Sequence, residues 1–371
     1  MRLLARAGLL TLCWLPLTVG AARPFVPIQP SPLAESWRWH AQEALDGMSL
    51  TDCLVGDDGS IWFVSQSGLV LYDGGEPELF PAPKGLSLIA YRTGAITSKG
   101  VIYMLLPGQI LEFKGGNYRV IFSFEGRYDM LRGRAVLTAD DTVLFGTPEG
   151  IVAVRDGTVR VVAPDNRRAS FLLLDSRGDL WTNQVGTGVV FRCKAFSHEN
   201  GTAVNGWESF QVIPGGGAHL SLVELPDGSI WCANDSPHFG IQAFDPASGS
   251  WMPVPIDADG EEKVHLGVDV TPDGTVMIYG DKRILLQKDG EIEQLTLKDF
   301  NFPITSPFVR SLKSGSMIIG GRRERVYLVD CSTKWWETFK GINYFCSDTA
   351  GRQWFISFSG EIICRDITSG E

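Results

Sequence analysis

The sequence predicts an all-β protein that forms a single β-propeller of eight four-stranded blades, with seven blades as the alternative. The main observation is a short phrase that returns eight times, most clearly at residues 57–64 and 226–233. Its turn residue recurs every 36 to 50 residues, with a mean near 42. A period of this length, with several short strands in each repeat, is typical of propeller blades. The turn residues are Gly59, Gly100, Asp141, Gly178, Gly228, Gly274, Gly315 and Gly351.

The N-terminal residues have the pattern of a secretory signal peptide. Arg2 and Arg6 precede a mostly apolar stretch at 9–19, and small residues at 20–22 favour cleavage after Ala22. This stretch is shorter than the roughly 20 residues that a membrane span needs. We therefore expect a signal peptide at 1–22, a linker at 23–35 and the propeller at 36–371, in a periplasmic or secreted protein without membrane insertion.

The charge and the cysteines narrow the class of protein further. A formal net charge of −10 argues against nucleic acid as a partner, because its phosphates would be repelled. The six cysteines after residue 22 include no C-x-x-C pair, and most lie in strand-like runs where other repeats have Val, Leu or Ala. We expect most of them to be small buried side chains.

Each repeat predicts four antiparallel strands, named a to d from the central channel outward. In repeat one, an apolar run at 49–56 leads into the hairpin pair Asp58-Gly59, and strand-like runs follow at 60–64, 69–72 and 78–80. The same order recurs in repeat seven, where 335–339 is the fourth run.

A large side chain three residues after the turn residue explains why the blades need one another. A four-stranded blade cannot bury both faces alone, and a bulky residue on strand b fills the gap to its neighbour. We predict that all of these side chains lie in the core between blades. They are Trp62, Tyr103, Leu144, Trp181, Trp231, Met277, Ile318 and Trp354.

The two ends of the repeat array predict how the ring closes. Repeat eight ends after strand c at 361–364, and a spare strand-like run lies before repeat one at 37–40. Propellers close by letting one terminus complete the last blade, which removes exposed strand edges. We therefore predict that 37–40 pairs with 361–364.

Four residues at one repeat position are the main candidates for a binding site. Ligands of propellers bind at the mouth of the channel, near the start of strand a. Nine residues before the turn residue, four repeats carry a group that can bind or titrate, namely Tyr91, Arg132, His219 and His265. One arginine with two histidines suits an anionic ligand. The alternative is that repeat duplication placed two inert histidines, each bonded to a carbonyl.

The loops between strands b and c add further candidates on the same face. They are Asn183, Gln184, Asn234, Asp235 and Arg323, the last within a basic run whose alternative explanation is a solvated turn. Two histidines make an incomplete zinc site, since catalytic zinc takes three protein ligands. We therefore predict no metal site and no cofactor.

Two repeats resemble known propeller families. Repeat one, with 57–64 followed by 67–73, resembles the two-component-regulator propeller repeat, D-x-x-G-x-I/L-W followed by G-L-x-x-Y/F-D. Repeat five, with 240–246 and Gly249, also resembles the repeat of virginiamycin B lyase-like propellers. The first resemblance implies a saccharide-sensing propeller, and the second implies metal-assisted elimination by a channel histidine, a role open to His219 or His265. The motifs consist of turn and core residues, so they specify fold better than function.

These observations lead to three functional hypotheses. The first is an exported, monomeric, sensor-like propeller that binds a ligand at the mouth of its channel, either a small molecule, such as an anionic saccharide, or another protein. The second is a propeller lyase or hydrolase that uses the mouth histidines, with a divalent metal in the case of a lyase. The third is a scaffold for protein–protein interaction. Whether the protein is an enzyme stays open, although the first hypothesis is favoured.

Overall fold

A computed structural model describes most of the chain after residue 37. The described residues are Leu33, 38–88, 91, 93–125, 134–164, 169–184, 186–197, 206–214, 216, 220–234, 240–255, 267–271, 274–279, 284–288, 290–295, 308–321, 325–331, 342–347, 352–357 and 362–366. They form short antiparallel β-strands and one short 3-10 helix, Glu43–Leu45. No helix in these ranges has the length and hydropathy of a membrane span.

Six blades follow one another along the chain, and each consists of four consecutive antiparallel strands. Blades 1 to 3 contain β2–β5 (Leu50–Val55, Ile61–Ser65, Gly68–Tyr72, Glu78–Pro81), β6–β9 (Thr93–Ile96, Ile102–Leu106, Gln109–Lys114, Asn117–Ser123) and β10–β13 (Val136–Leu137, Val143–Thr147, Gly150–Arg155, Thr158–Pro164). Blades 4 to 6 contain β14–β17 (Ala169–Leu174, Leu180–Gln184, Val189–Cys193, Trp207–Gln211), β18–β21 (Leu220–Glu224, Ile230–Asn234, Gln242–Asp245, Ser250–Pro253) and β22–β25 (Gly267–Val270, Val276–Tyr279, Ile284–Lys288, Glu291–Leu295).

Blade 7 combines the two ends of the ring. Its strands a to c are β26 (Phe308–Ser311), β27 (Met317–Gly320) and β28 (Tyr327–Val329), and its outer strand is the N-terminal β1 (Trp39–Ala41). β1 pairs antiparallel with β28, with Trp39 opposite Val329. Backbone hydrogen bonds beyond the strand extend this pairing, from Gln42 N to Val326 O (2.9 Å) and from Asp330 N to Arg38 O (3.1 Å).

This closure corrects two expectations. The all-β propeller is confirmed with the seven-blade alternative, and the ring does not contain eight blades, because the N-terminal strand completes repeat seven. The predicted pairing of 37–40 with 361–364 is therefore wrong, and the predicted fourth strand of repeat seven, 335–339, lies outside the described residues. Repeat eight forms a separate three-stranded sheet of β29 (Ile342–Ser347), β30 (Arg352–Ser357) and β31 (Ile362–Asp366).

The core of the ring is divided among the interfaces between consecutive blades, which we call seams. The described residues contain seven apolar clusters, and each of them joins two consecutive blades, including blade 7 to blade 1. In blades 1 to 7 the large side chains after the turn lie in the seams as predicted, from fully buried Trp181 to half-buried Trp62. Trp62 packs against Phe80 of its own blade and Phe113 of blade 2.

The repeated sequence phrase forms the same turn between strands a and b in all seven blades. Five residues separate strands a and b in every blade of the ring. In blade 1, Gly56 N donates to Ser60 O (2.8 Å) and Gly59 N donates to Gly56 O (3.0 Å), and the other six blades repeat both bonds. The turn residue has φ between 65° and 84°, which explains why six of the seven are glycine. The exception, Asp141, uses its carboxylate to accept hydrogen bonds from Ser98 of blade 2.

A buried carboxylate stabilises this turn in blade 4. Asp175 accepts hydrogen bonds from Trp181 Nε1 (2.9 Å), Asp179 N (2.9 Å) and Arg177 N (3.0 Å). Burial alone would raise the pKa of Asp175, but the hydrogen bonds from Trp181 and Asp179, together with the paired Arg177 guanidinium, outweigh burial and hold its pKa below the ordinary 3.8. The ionised form of Asp175 therefore stabilises the folded protein.

The closure by β1 predicts a large effect at Trp39. Its indole is buried in the cluster between blades 6 and 7 and donates through Nε1 to Leu33 O (3.0 Å). Trp39→Ala should lower the free energy of unfolding by about 3 to 5 kcal/mol, measured by urea denaturation. His40→Ala is the matched control, because His40 is exposed on the same strand. Equal effects of the two substitutions would contradict the role of β1 in closure.

The Asp175 interaction predicts a pH-dependent stability difference. At pH 7, Asp175→Asn should lower the free energy of unfolding by about 1.5 to 3 kcal/mol, because bonds to a charged acceptor are lost. A lowered folded-state pKa stabilises above the unfolded-state pKa, and this stabilisation disappears as pH falls through the folded-state value. The difference between wild type and variant should therefore shrink below about pH 4. Asp58→Asn, at an exposed turn carboxylate, should show a much smaller difference at pH 7.

Candidate functional site

The wall of the channel is formed by the inner edges of strands a. An edge strand has backbone groups that need partners other than its own sheet. In blade 1, both groups of Cys53 are satisfied by side chains, since its N–H donates to Asp52 Oδ1 (2.8 Å) and its carbonyl accepts from Arg310 Nε (2.9 Å). Arg310 comes from blade 7 and also donates to its neighbour Val309 O (2.7 Å). Side chains therefore complete the inner edges of blades 7 and 1.

The carboxylate of Asp52 connects three consecutive blades. Its Oδ1 accepts from Arg310 Nη2 of blade 7 (2.6 Å), and its Oδ2 accepts from the Tyr91 hydroxyl at the start of blade 2 (2.9 Å). The Asp52 side chain is 10 % exposed, whereas that of Arg310 is 36 % exposed. The ion pair is therefore buried on its acidic side and reaches solvent on its basic side.

Blade 6 continues the same arrangement. Asp269 Oδ1 accepts from Val270 N (3.1 Å), as Asp52 does from the residue that follows it. Ser311 Oγ of blade 7 donates to Val270 O (3.4 Å). We call Asp269, Arg310, Asp52 and Tyr91 the inner belt, because they lie on strands a, or just before them, in blades 6, 7, 1 and 2.

The surroundings of the inner belt keep Tyr91, Arg310 and the neighbouring Cys53 in their protonated forms. Burial and the neighbouring Asp52 carboxylate raise the pKa of Tyr91 well above its usual value, so this phenol stays neutral. Burial alone would lower the pKa of Arg310, but the carboxylates of Asp52 and Asp269 outweigh burial and raise it. Burial also raises the pKa of the Cys53 thiol, which makes it unreactive. Two carboxylates therefore compensate one guanidinium in this part of the wall.

Two of the predicted site residues are engaged within the protein. Tyr91 is buried in the seam between blades 1 and 2 and donates to Asp52. Asn183 is buried, and its Oδ1 accepts from Phe171 N of the inner strand β14 (2.9 Å). Both side chains therefore hold inner strands in place.

Asn234 belongs to a structural position that recurs among the blades. It lies six residues after the turn residue, as do Ser65 and Thr147, and each of the three donates to a glycine carbonyl in the following b–c turn or at the start of strand c. The acceptors are Gly240, Gly68 and Gly150, respectively. Asn234 is fully buried, whereas Gln184, at the same position of blade 4, is half-buried. The common role of this position is to cap the b–c turn.

The other predicted residues lie outside the described part of the chain. They are His219, His265, Arg132, Asp235 and Arg323. Among the residues that the structure describes, no three His, Cys, Asp or Glu side chains are grouped so that they could hold a metal ion. The prediction that Arg132, His219 and His265 suit an anionic ligand and the prediction of no metal site therefore stay predictions.

Sequence reasoning missed the charged members of the inner belt. A usable signal exists, because Asp52 and Arg310 are single charges within the otherwise uncharged strands a of the first and last blades. Because the first and last blades of a closed ring are neighbours, opposite charges on their inner strands indicate a contact between these two blades. The repeat alignment hides this signal, because the two residues occupy different positions relative to the turn.

Four cysteines are confirmed as buried side chains without disulfide bonds. Cys53, Cys193, Cys232 and Cys331 lie in the seams 7/1, 3/4, 4/5 and 6/7, respectively. Burial raises the pKa of Cys193 to about 11 and shifts that of Cys232 upward as well. The described Cys364 is also a free thiol and is half-buried.

No protein-family model matches the sequence. No curated protein matches it either. Solved structures do match the fold. A catalytically inactive virginiamycin B lyase from Staphylococcus aureus with quinupristin aligns at a TM-score of 0.60 and 13 % identity, over 78 % of this chain and 98 % of that chain.

Two further structures have different printed descriptions. The extracellular domain of a hybrid two component system from B. thetaiotaomicron aligns at a TM-score of 0.59 and 14 % identity, over 83 % of this chain and 43 % of that chain. YCF48 bound to D1 peptide aligns at a TM-score of 0.56 and 15 % identity, over 76 % of this chain and 94 % of that chain. The chain is therefore a β-propeller, and both kinds of propeller that its repeats resemble share its fold. At these identities the likeness establishes the fold and does not assign an activity.

The turn-capping position predicts the effect of removing Asn234. Asn234→Ala should lower the free energy of unfolding by about 1 to 3 kcal/mol, because it leaves buried polar groups of the b–c turn without a partner. Gln184→Ala should cost less, because that side chain is half-buried at the same position. Urea denaturation of both variants measures the difference. A fully stable Asn234→Ala protein would show that this side chain is available for another role.

Proposed function

We propose that this protein is an exported propeller that binds an anionic ligand, of the uronate saccharide class, at the mouth of its channel. The observation that carries the proposal is the place of Tyr91, which lies nine residues before its turn residue and reaches the inner wall at Asp52. In the repeat alignment, Arg132, His219 and His265 occupy the same position, nine residues before the turn residues of repeats 3, 5 and 6. These cationic groups are therefore candidates to face the mouth.

The lengths of the b–c turns support a binding site on the side of the mouth formed by blades 4 to 7. The carboxylates of Asp52 in blade 1 and Asp269 in blade 6 compensate Arg310 of blade 7. The b–c turns have two residues in blades 1 to 3 and four to seven residues in blades 4 to 7. The longer turns thus lie in the part of the ring that contains both histidines. An arginine can bind a carboxylate through two parallel hydrogen bonds, and protonated histidines add positive charge.

The matching structures support a binding role without selecting the ligand. Their printed descriptions include a lyase with quinupristin, a propeller bound to a peptide and an extracellular domain of a signalling protein. The last of these agrees with the export that the N-terminal sequence predicts. The choice of an acidic saccharide rests on the mouth residues of this chain alone.

The proposal predicts a stabilisation that depends on charge and on the mouth histidines. A galacturonate trimer should raise the melting temperature of the purified protein, whereas a neutral galactose trimer should not. At one hundred times the Kd, binding to one site contributes about 2.7 kcal/mol. The shift should disappear in the His219→Ala/His265→Ala variant and persist in His40→Ala. It should also be larger at pH 5.5 than at pH 8, because unperturbed imidazoles titrate near pH 6.5.

Other outcomes would overturn this function in distinct ways. Equal shifts with both trimers would exclude recognition of the carboxylates. No shift with any saccharide would exclude a saccharide ligand and favour a protein partner. Cleavage of the acidic trimer to an unsaturated product in the presence of a divalent metal would instead identify the protein as a lyase.

A further inference from the structure

We propose that Asp52 couples two neighbouring seams of the ring, so that the inner strands of blades 7, 1 and 2 open together as one unit. Local opening of a protein occurs in cooperative units whose limits follow shared interactions. Asp52 is shared in this sense, because its two oxygens accept hydrogen bonds from blades on either side of its own. This coupling is a property of the ring itself and does not depend on the proposed ligand.

The geometry of the carboxylate explains the coupling. Oδ1 holds Arg310 of blade 7 and the backbone N–H of Cys53, while Oδ2 holds the hydroxyl of Tyr91 of blade 2. A carboxylate is planar, so a rotation that releases one oxygen moves the other. Loss of either donor also leaves a charge at a largely buried position with one partner fewer, which is costly. Opening of either seam therefore weakens the other.

Two further polar contacts between blades provide the comparison. Tyr103 accepts at its hydroxyl from Gly157 N (2.9 Å), which joins blades 2 and 3. Ser176 donates to Glu224, which joins blades 4 and 5 at an exposed turn. Each of these contacts connects two blades, whereas the hydrogen bonds of Asp52 connect three.

The chain contains natural reporters for this motion. Cys53 is fully buried in seam 7/1, and Cys232 is fully buried in seam 4/5. A buried thiol reacts with iodoacetamide only after its seam opens, so the alkylation rate of each cysteine measures the opening of its own seam. Mass spectrometry of the digested protein separates the two rates in one experiment.

The decisive variant is Tyr91→Phe, because Tyr91 lies in seam 1/2 whereas Cys53 lies in seam 7/1. Removal of its hydroxyl should raise the alkylation rate of Cys53 by about tenfold, as expected for loss of a hydrogen bond to a charged group. Arg310→Met should raise the Cys53 rate at least as much. In both variants the Cys232 rate should stay at the wild-type value. Tyr103→Phe, which removes a hydroxyl that bridges the next seam, is the matched control and should leave Cys53 unchanged.

Three results would overturn the inference. An unchanged Cys53 rate in Tyr91→Phe would show that the seams open independently. An equal rise at Cys232 would show a global loss of stability instead of a local unit. In an Asp52→Asn background, Tyr91→Phe should add nothing further to the Cys53 rate, and a full additional effect would show that Asp52 does not carry the coupling.

Discussion

The ring depends on the pairing of the three-residue strand β1 with β28. This contact joins residues almost 300 positions apart, and it forms only after the entropy of closing the whole chain has been lost. Without it, β28 would present an open edge, and the apolar cluster of blades 6 and 7 would lose the indole of Trp39. The inner belt then acts at the other edge of the same blade, where Arg310 reaches Asp52. The ring is thus closed by strand pairing at its outer edge and by the contact between Arg310 and Asp52 at the channel.

The parts of the fold that the sequence predicted are those with a local cause. The five-residue turn before strand b depends on a glycine with a positive φ. The strand that follows places one large side chain against the next blade. Both features depend on residues within one repeat. The strands of blade 1 accordingly fall within one or two residues of their predicted limits, and Trp181 and Trp231 are buried as expected.

The parts that the sequence did not predict depend on contacts between distant repeats. From the sequence, β1 could pair with strand c of repeat seven or with strand c of repeat eight. Contacts between distant residues accompany the first pairing, such as the hydrogen bonds between Arg38 and Asp330. The candidate site divides in the same way. Register predicted Tyr91 as a binding residue at the mouth of the channel, whereas the structure shows that its hydroxyl is bonded to Asp52. A side chain at a mouth position can serve the wall instead of a ligand.

The two faces of the ring are under different constraints. Strands a and b join on one face through turns of constant length, whereas strands b and c join on the opposite face through turns of two to seven residues. Insertions and substitutions on the second face can therefore accumulate during evolution while the scaffold keeps its shape. A gene for such a ring can acquire a new specificity by changing a few loops, and a protein engineer could replace the longer loops of blades 4 to 7 for the same purpose.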